Sequence, residues 1–150
     1  MINADVVIDN ELWKKRIKNP NNYIKKKIKK ILKFSLLKKK SFSFTILLTN
    51  SSRMKYLNKK FRKKNKATDV LSFPSLDTFN FKKKNKKNFY LGDIALSYEI
   101  INKRSKMSNF EFEFDKMWIH GYLHLLGYNH KKLTDYKVMK QLEIKILKIL

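Results

Sequence analysis

The sequence has no cysteine, only three glycines, two prolines and three histidines in 150 residues. Without cysteine there is neither a disulfide framework nor a thiolate metal site. A chain of this length buries a real core without such staples. No run approaches the ~18 apolar residues of a membrane span. The opening residues, MINADVVIDN, lack a basic stretch followed by an apolar one, so no secretory signal is expected. These absences lead to the expectation of one domain, cytoplasmic and away from membranes.

Acidic residues are scarce as well: 12 against 36 Lys and Arg, for a net charge of +24. A field that positive attracts polyanions and speeds their encounter, which favours an RNA or DNA partner. The same excess is read equally well as composition. Lys outnumbers Arg 32 to 4, and Asn and Ile are abundant, as in proteins from genomes rich in A and T. Charge therefore supports a nucleic-acid partner without deciding for one.

Residues 2 to 8 read as a strand. From Pro20 to Leu37, Tyr23, Ile24, Ile28, Ile31 and Leu32 recur at helical spacing with lysines opposite, the pattern of a helix packed on its own sheet. Phe42, Phe44, Ile46 and Leu48 alternate in a strand over 42 to 49. Asn50, Ser51 and Ser52 offer caps for a helix reaching about Arg62. A strand over 68 to 74 stops at Pro74, residues 75 to 88 form a basic loop, and another strand covers 89 to 97. A short helix follows from Tyr98. A longer one runs to Leu126, capped by Ser108 or Asn109, and a last one is capped by Thr134. This order predicts a single α+β domain with a small mixed four-stranded sheet packed against several helices.

All three histidines, and two of the three glycines, lie in HGYLHLLGYNH, residues 120 to 130. Random scatter would place three histidines in one such window only about one or two per cent of the time, by the counting used for motif matches. His120 and His124 stand i and i+4 on one helix face, a spacing at which two imidazoles reach one ion. Gly127 lets the helix end in a left-handed residue, so that His130 can return to the same ion. Three neutral imidazoles leave an open coordination position, the pattern of a catalytic site. The ligand set suits Zn, with Ni, Co or Cu as other transition metals it can take.

The spacing H-x3-H-x2-G-x2-H is also that of metzincin proteases. Those enzymes place a glutamate general base after the first histidine, where this chain has Gly121. The glycine removes the base and is expected to open space beside the metal, which suits a bulky anionic substrate better than a peptide.

HGYLHLLGYNH resembles the signature of the YbeY family, bacterial rRNA maturation factors also described as endoribonucleases. LNKKFRKKNKATDVLSFP, residues 57 to 74, is similar to that family's run from LN-x-x-(Y/F)-R to T-(D/N)-VLSFP. LGDIALS, residues 91 to 97, resembles its LGDI-x-IS strand, and Met139 and Glu143 fit its final helix. The likeness covers about residues 42 to 145. It implies an α+β fold with a mixed sheet and a metal-dependent, single-strand-specific endoribonuclease. That activity serves the 3′ end of small-subunit rRNA and ribosome quality control. It also implies one zinc ion held by His120, His124 and His130, and a cleft for RNA between that site and Arg62. Arg62 and His120 become the residues assigned to catalysis, and single-stranded rRNA and the small ribosomal subunit the partners.

A guanidinium at Arg62 can clamp a phosphate with two hydrogen bonds, and in so Lys-rich a chain an arginine there hints that lysine would not serve. The alternative is one more solvated cation beside Lys59, Lys60, Lys63 and Lys64. Thr68, Asp69 and Ser72 should line the cleft. Asp69 would either orient Arg62 or a ligand histidine, or cap a turn, and Asp93 poses the same choice. Phe61, Phe73 and Tyr90 are expected in the core rather than as base-stacking platforms. Asn129 stands where the family commonly has Asp, so no carboxylate is available at that position. Two rivals stand beside the nuclease. One is an RNA-binding ribosome-assembly factor whose metal is structural. The other is a metal hydrolase for peptides or small molecules.

Overall fold

A computed structural model describes residues 2–33, 41–76 and 88–150. The order of elements is β1 (Ile2–Ile8), α1 (Leu12–Arg16), α2 (Pro20–Lys33), β2 (Ser41–Thr49), α3 (Ser51–Arg62), β3 (Val70–Pro74), β4 (Asn88–Ser97), α4 (Tyr98–Arg104), α5 (Phe110–Leu125) and α6 (Leu133–Ile149). A single 3-10 turn, Ser105–Met107, joins α4 to α5. The four strands form one mixed sheet in the order β1-β2-β4-β3. β1 and β2, and β2 and β4, run parallel, while β3 is antiparallel to β4. The α+β fold with a small mixed sheet is the one expected.

Alternation decides which side of the sheet faces which helices. Phe42, Phe44, Ile46 and Leu48 of β2, with Ile94 and Leu96 of β4, point into the main core against α2 and α5. The intervening Leu47, Leu71 and Ala95 face the other way and pack with Met54 and Leu57 of α3. The apolar stripe of α2 is buried as its spacing requires, through Ile24, Ile28 and Ile31. Charged groups tie α2 to α5: the buried Asp115 carboxylate accepts from the Trp118 indole at 2.9 Å, the Tyr23 hydroxyl at 3.1 Å and Lys27 at 2.8 Å. Burial, then that carboxylate, push the Tyr23 hydroxyl well above its ordinary range.

Helix α1 was not expected from the sequence. It carries Trp13, fully buried, whose indole donates to the Thr49 carbonyl at 3.0 Å and whose ring packs edge-on against Tyr98 and Phe110. The last helix begins at Leu133 with Lys132 at its N-cap and no side-chain cap, so Thr134 lies inside the first turn instead of capping it. The basic loop expected at 75 to 88 falls mostly outside the described residues, as does the end of the helix expected to reach Leu37.

Gly92 sits where three residues of β4 span two of β2, a register shift between Ser43 and Thr45. Its φ is +128°, and a Cβ there would lie 2.1 Å from the Phe73 carbonyl oxygen. Only glycine allows the bulge and the close approach of β3 together.

Candidate metal centre and nucleic-acid interface

Helix α5 presents the first two histidines. Asn109 caps it by accepting from the Phe112 amide at 3.2 Å, and eleven of its sixteen residues are buried, so it is held rigidly along its length. It ends in a Schellman motif. Gly127, with φ +93°, donates to the His124 carbonyl at 3.0 Å, and Tyr128 donates to that of Leu123 at 3.1 Å. The reversal brings His130 back, and its ring centroid stands 5.5 Å from that of His120 and 5.0 Å from that of His124. One nitrogen from each of the three rings lies within 4.8 Å of the others. The structure thus brings together the three histidines singled out by their spacing.

The outer hydrogen bonds orient the rings. His124 Nδ1 is 2.9 Å from the Tyr128 carbonyl oxygen, which can only accept, so the proton sits on Nδ1 and the lone pair on Nε2. His120 Nδ1 donates to Glu143 of α6 at 2.5 Å, which again leaves Nε2 free. The two Nε2 atoms then face each other at 3.0 Å. Opposed lone pairs at that distance repel unless a cation or proton lies between them. Two nitrogens on one tetrahedral ion with ~2.0–2.1 Å bonds stand about 3.4 Å apart, close to this separation. The donor set therefore fits a transition-metal ion.

Electrostatics agree. Burial and the neighbouring His120 push His124 down to about 4, with His130 and Arg62 adding to the effect against the carbonyl of Tyr128. The imidazole is neutral at pH 7, the form a metal needs. Burial alone would raise the Glu143 carboxyl, but its hydrogen bond to His120 and the ammonium of Lys140, 3.2 Å away, hold it below the ordinary value. An ionised carboxylate behind a ligand histidine fixes the ring and increases its basicity.

Sequence reasoning placed Glu143 on the last helix but did not assign it to His120. One signal was present. Met139 and Glu143 are i and i+4 on α6, and both are buried, in a chain with few acids. A carboxylate aligned with a core methionine needs a partner.

Several other expectations are corrected. Gly121 does not open space beside the metal. It is buried against the sheet, and a Cβ there would meet Ile94 Cγ2 at 2.7 Å and Ser72 Oγ at 3.2 Å. The Ser72 hydroxyl donates to the Gly121 carbonyl at 3.1 Å, so Ser72 docks the histidine helix on β3 instead of lining a cleft. Asp69 orients neither Arg62 nor a histidine. It is paired with Arg104, and its Oδ1 accepts from Val70 N at 2.8 Å and Thr68 Oγ1 at 3.0 Å. Burial would raise its carboxyl, and Arg104 with those donors brings it below the usual value. Asp93 accepts from the Tyr90 hydroxyl at 2.6 Å. Asn129 accepts from Lys131 N at 3.1 Å, so it shapes the turn beside His130 without needing a charge. Phe61 and Tyr90 are not core residues: they are 57% and 38% exposed.

Arg62 ends α3, exposed, with its charge felt at His124. The helix is fixed at its start, where Asn50 accepts from Arg53 N at 2.8 Å and Glu99 accepts from Ser51 N at 2.7 Å. A cleft of about 340 Å³ is lined by His120, His130, Tyr136, Lys140, Lys116 and Arg104 among others. Cations therefore stand near the histidines, Arg62 by its charge at His124 and the others around the cleft.

The family model described as Endoribonuclease YbeY matches residues 7–150. The chain belongs to the YbeY family. An endoribonuclease YbeY from Pelagibacter ubique (strain HTCC1062) is 46% identical over 152 residues, covering 100% of this chain and 97% of the relative. One from Ehrlichia canis (strain Jake) is 36% identical over 141 residues, covering 90% and 84%. The solution structure of TM1509 from Thermotoga maritima is similar in fold, with a TM-score of 0.62 at 24% identity, over 99% of this chain and 88% of that one. Membership in the YbeY family supports a nuclease that acts on RNA. No helix of the described residues is long and apolar enough to cross a membrane.

Proposed function

We propose that this YbeY-family protein is a metal-dependent, single-strand-specific endoribonuclease. In this reading it acts in the cytoplasm on the 3′ end of small-subunit rRNA and in ribosome quality control. The observation that carries the metal is the pair of Nε2 atoms at 3.0 Å, each with its Nδ1 proton engaged elsewhere. Zinc is the preferred ion, with nickel or another divalent transition metal as alternatives. When bound, the ion supplies Lewis-acid chemistry, either by acidifying a water or by drawing charge from a phosphate oxygen.

The chain's own residues do the rest. Glu143 and the Tyr128 carbonyl hold the His120 and His124 rings in the ligating tautomer. His120 contributes to catalysis as a ligand, since one ring nitrogen faces the other histidines and the other is committed to Glu143. Arg62 clamps the scissile phosphodiester and stabilises the charge that develops on it. Lys116, Lys140 and Arg104, around the cleft beside His120 and His130, hold the neighbouring phosphate. A fourth protein ligand would favour a structural ion and the assembly-factor alternative. Glu143, the carboxylate behind His120, is bonded to its Nδ1.

The test is cleavage of a labelled single-stranded rRNA 3′-end precursor by the wild type, His124→Ala and Arg62→Glu, with metal content assayed for each. Cutting by the wild type alone, with both variants folded and Arg62→Glu still metal-loaded, is the outcome expected. If metal-loaded wild type binds RNA and cuts no faster than His124→Ala, cleavage belongs to another protein and the assembly-factor reading replaces this one.

A further inference from the structure

From Ser51 to Thr68 the sequence has eight Lys and Arg and no acidic residue. Helix α3 leaves most of these exposed, together with the rings of Tyr56 and Phe61, which point to different sides of the helix and each stand beside the Lys60 ammonium. Tyr56 is 51% exposed, with the Arg53 guanidinium 5.4 Å and the Lys60 ammonium 5.8 Å from its ring centre. Phe61 stands edge-on against Phe73 at 5.1 Å and has Lys60 5.4 Å from its centre. A depression of about 560 Å³ lined by Tyr56, Lys59, Lys60, Lys63 and Asn65 lies beside the first of these rings. The face is about 18 Å long at the rise of an α-helix. It ends at Arg62, whose charge reaches His124.

Phe112 and Tyr136 are about as open, so exposure alone marks nothing; at Tyr56 and Phe61 the open rings stand beside cations. Cations spaced along a helix suit a phosphate backbone, and open ring faces suit unpaired bases. A duplex offers the same phosphates but hides its base faces. We infer that the exposed surface running over α3 from Tyr56 across Lys60 to Phe61 is a single-strand track, on which the RNA flanking the cleavage site stacks unpaired bases on Tyr56 and Phe61 while Arg53, Lys59, Lys60 and Lys63 hold its phosphates. The inference rests on the nuclease reading for the identity of the strand, and it adds the surface that selects single strands and the side of the metal centre on which the strand leaves.

The test uses the full chain and a labelled oligoribonucleotide of about 12 nucleotides, single or annealed to its complement. Tyr56→Ala and Phe61→Leu should each weaken single-strand binding by about tenfold, the size expected for one stacked base. Tyr56→Phe should bind as the wild type, duplex affinity should be unchanged in all three, and the salt slope should stay the same because no charge is lost. Lys60→Gln should instead lower that slope by about one unit. In cleavage, KM should rise in Tyr56→Ala with kcat preserved at saturation. Phe61→Leu keeps an apolar contact for Phe73, and Tyr56 lies outside the core, so thermal melts should match the wild type.

Wild-type single-strand binding by Tyr56→Ala and Phe61→Leu would overturn the track, as would equal losses on single strand and duplex. Capture of the protein by anionic phosphatidylglycerol vesicles in preference to RNA, lost in Tyr56→Ala, would give the face to a membrane and overturn it too. RNA bound in the expected pattern but never cut leaves the track standing and sinks the nuclease reading. RNA cut with unchanged KM in both variants does the reverse.

Discussion

At the scale of single residues, the proposed metal centre depends as much on what holds the histidines as on the histidines. Glu143→Gln keeps the volume but loses the charge behind His120, and should lower metal affinity by about 10- to 100-fold in a competitive chelator titration. His124 sets a pH dependence in the metal-free protein. Its folded value, about 4, lies below the ordinary 6.5, so between these values the unfolded chain binds the extra proton. Stability is therefore full above about pH 6.5 and falls as the pH drops toward 4. Urea unfolding in the presence of chelator at pH 7 and pH 5 should show the loss, and His124→Gln should flatten the difference. An equal slope in the variant would place its origin in other groups.

At the scale of elements, two glycines shape α5 for different reasons. Ala at position 121 would gain roughly 1 kcal/mol of helix propensity, but its Cβ would stand 2.7 Å from Ile94 Cγ2 inside the core. Overpacking of that kind costs about 1–3 kcal/mol, so Gly121→Ala should be net destabilising by about 1 kcal/mol, with Ile94→Ala in the same chain reversing part of the effect. At Gly127 a Cβ meets nothing within 4 Å, so Gly127→Ala should cost only the left-handed conformation, about 1 kcal/mol, along with weaker metal binding as Tyr128 and His130 shift. Chemical denaturation with a parallel metal titration separates the two.

The elements also show how far the sequence reveals the fold. The strands and long helices could be read because alternation and helical spacing record burial directly, as in Phe42 to Leu48 and Ile24 to Ile31. The cluster of three histidines could be read because local spacing on one helix and its turn brings them together. Gly121 could not, because its reason lies in Ile94 and Ser72, distant in sequence. The same holds for Glu143 with His120 and for Asp69 with Arg104. Helix α1 has only five residues, too few for a period to show, and Trp13 earns its burial from packing against α4 and α5.

At the scale of the whole molecule, the +24 charge acts through its placement. Cations flank the histidines on α3 and around the 340 Å³ cleft, so RNA affinity should fall linearly in log–log form as salt rises. A slope that stays near zero would leave the charge as composition only. The central claim is that the histidine-bound metal is the catalytic one, and the most direct measurement follows cleavage as metal is titrated into chelator-stripped protein with single-stranded RNA present. The rate should rise with occupancy and level off at one ion per chain, while His124→Ala stays flat across the same range. Occupancy of one ion per chain with no gain in cleavage would contradict the claim and leave the three histidines a structural clasp between α5 and α6.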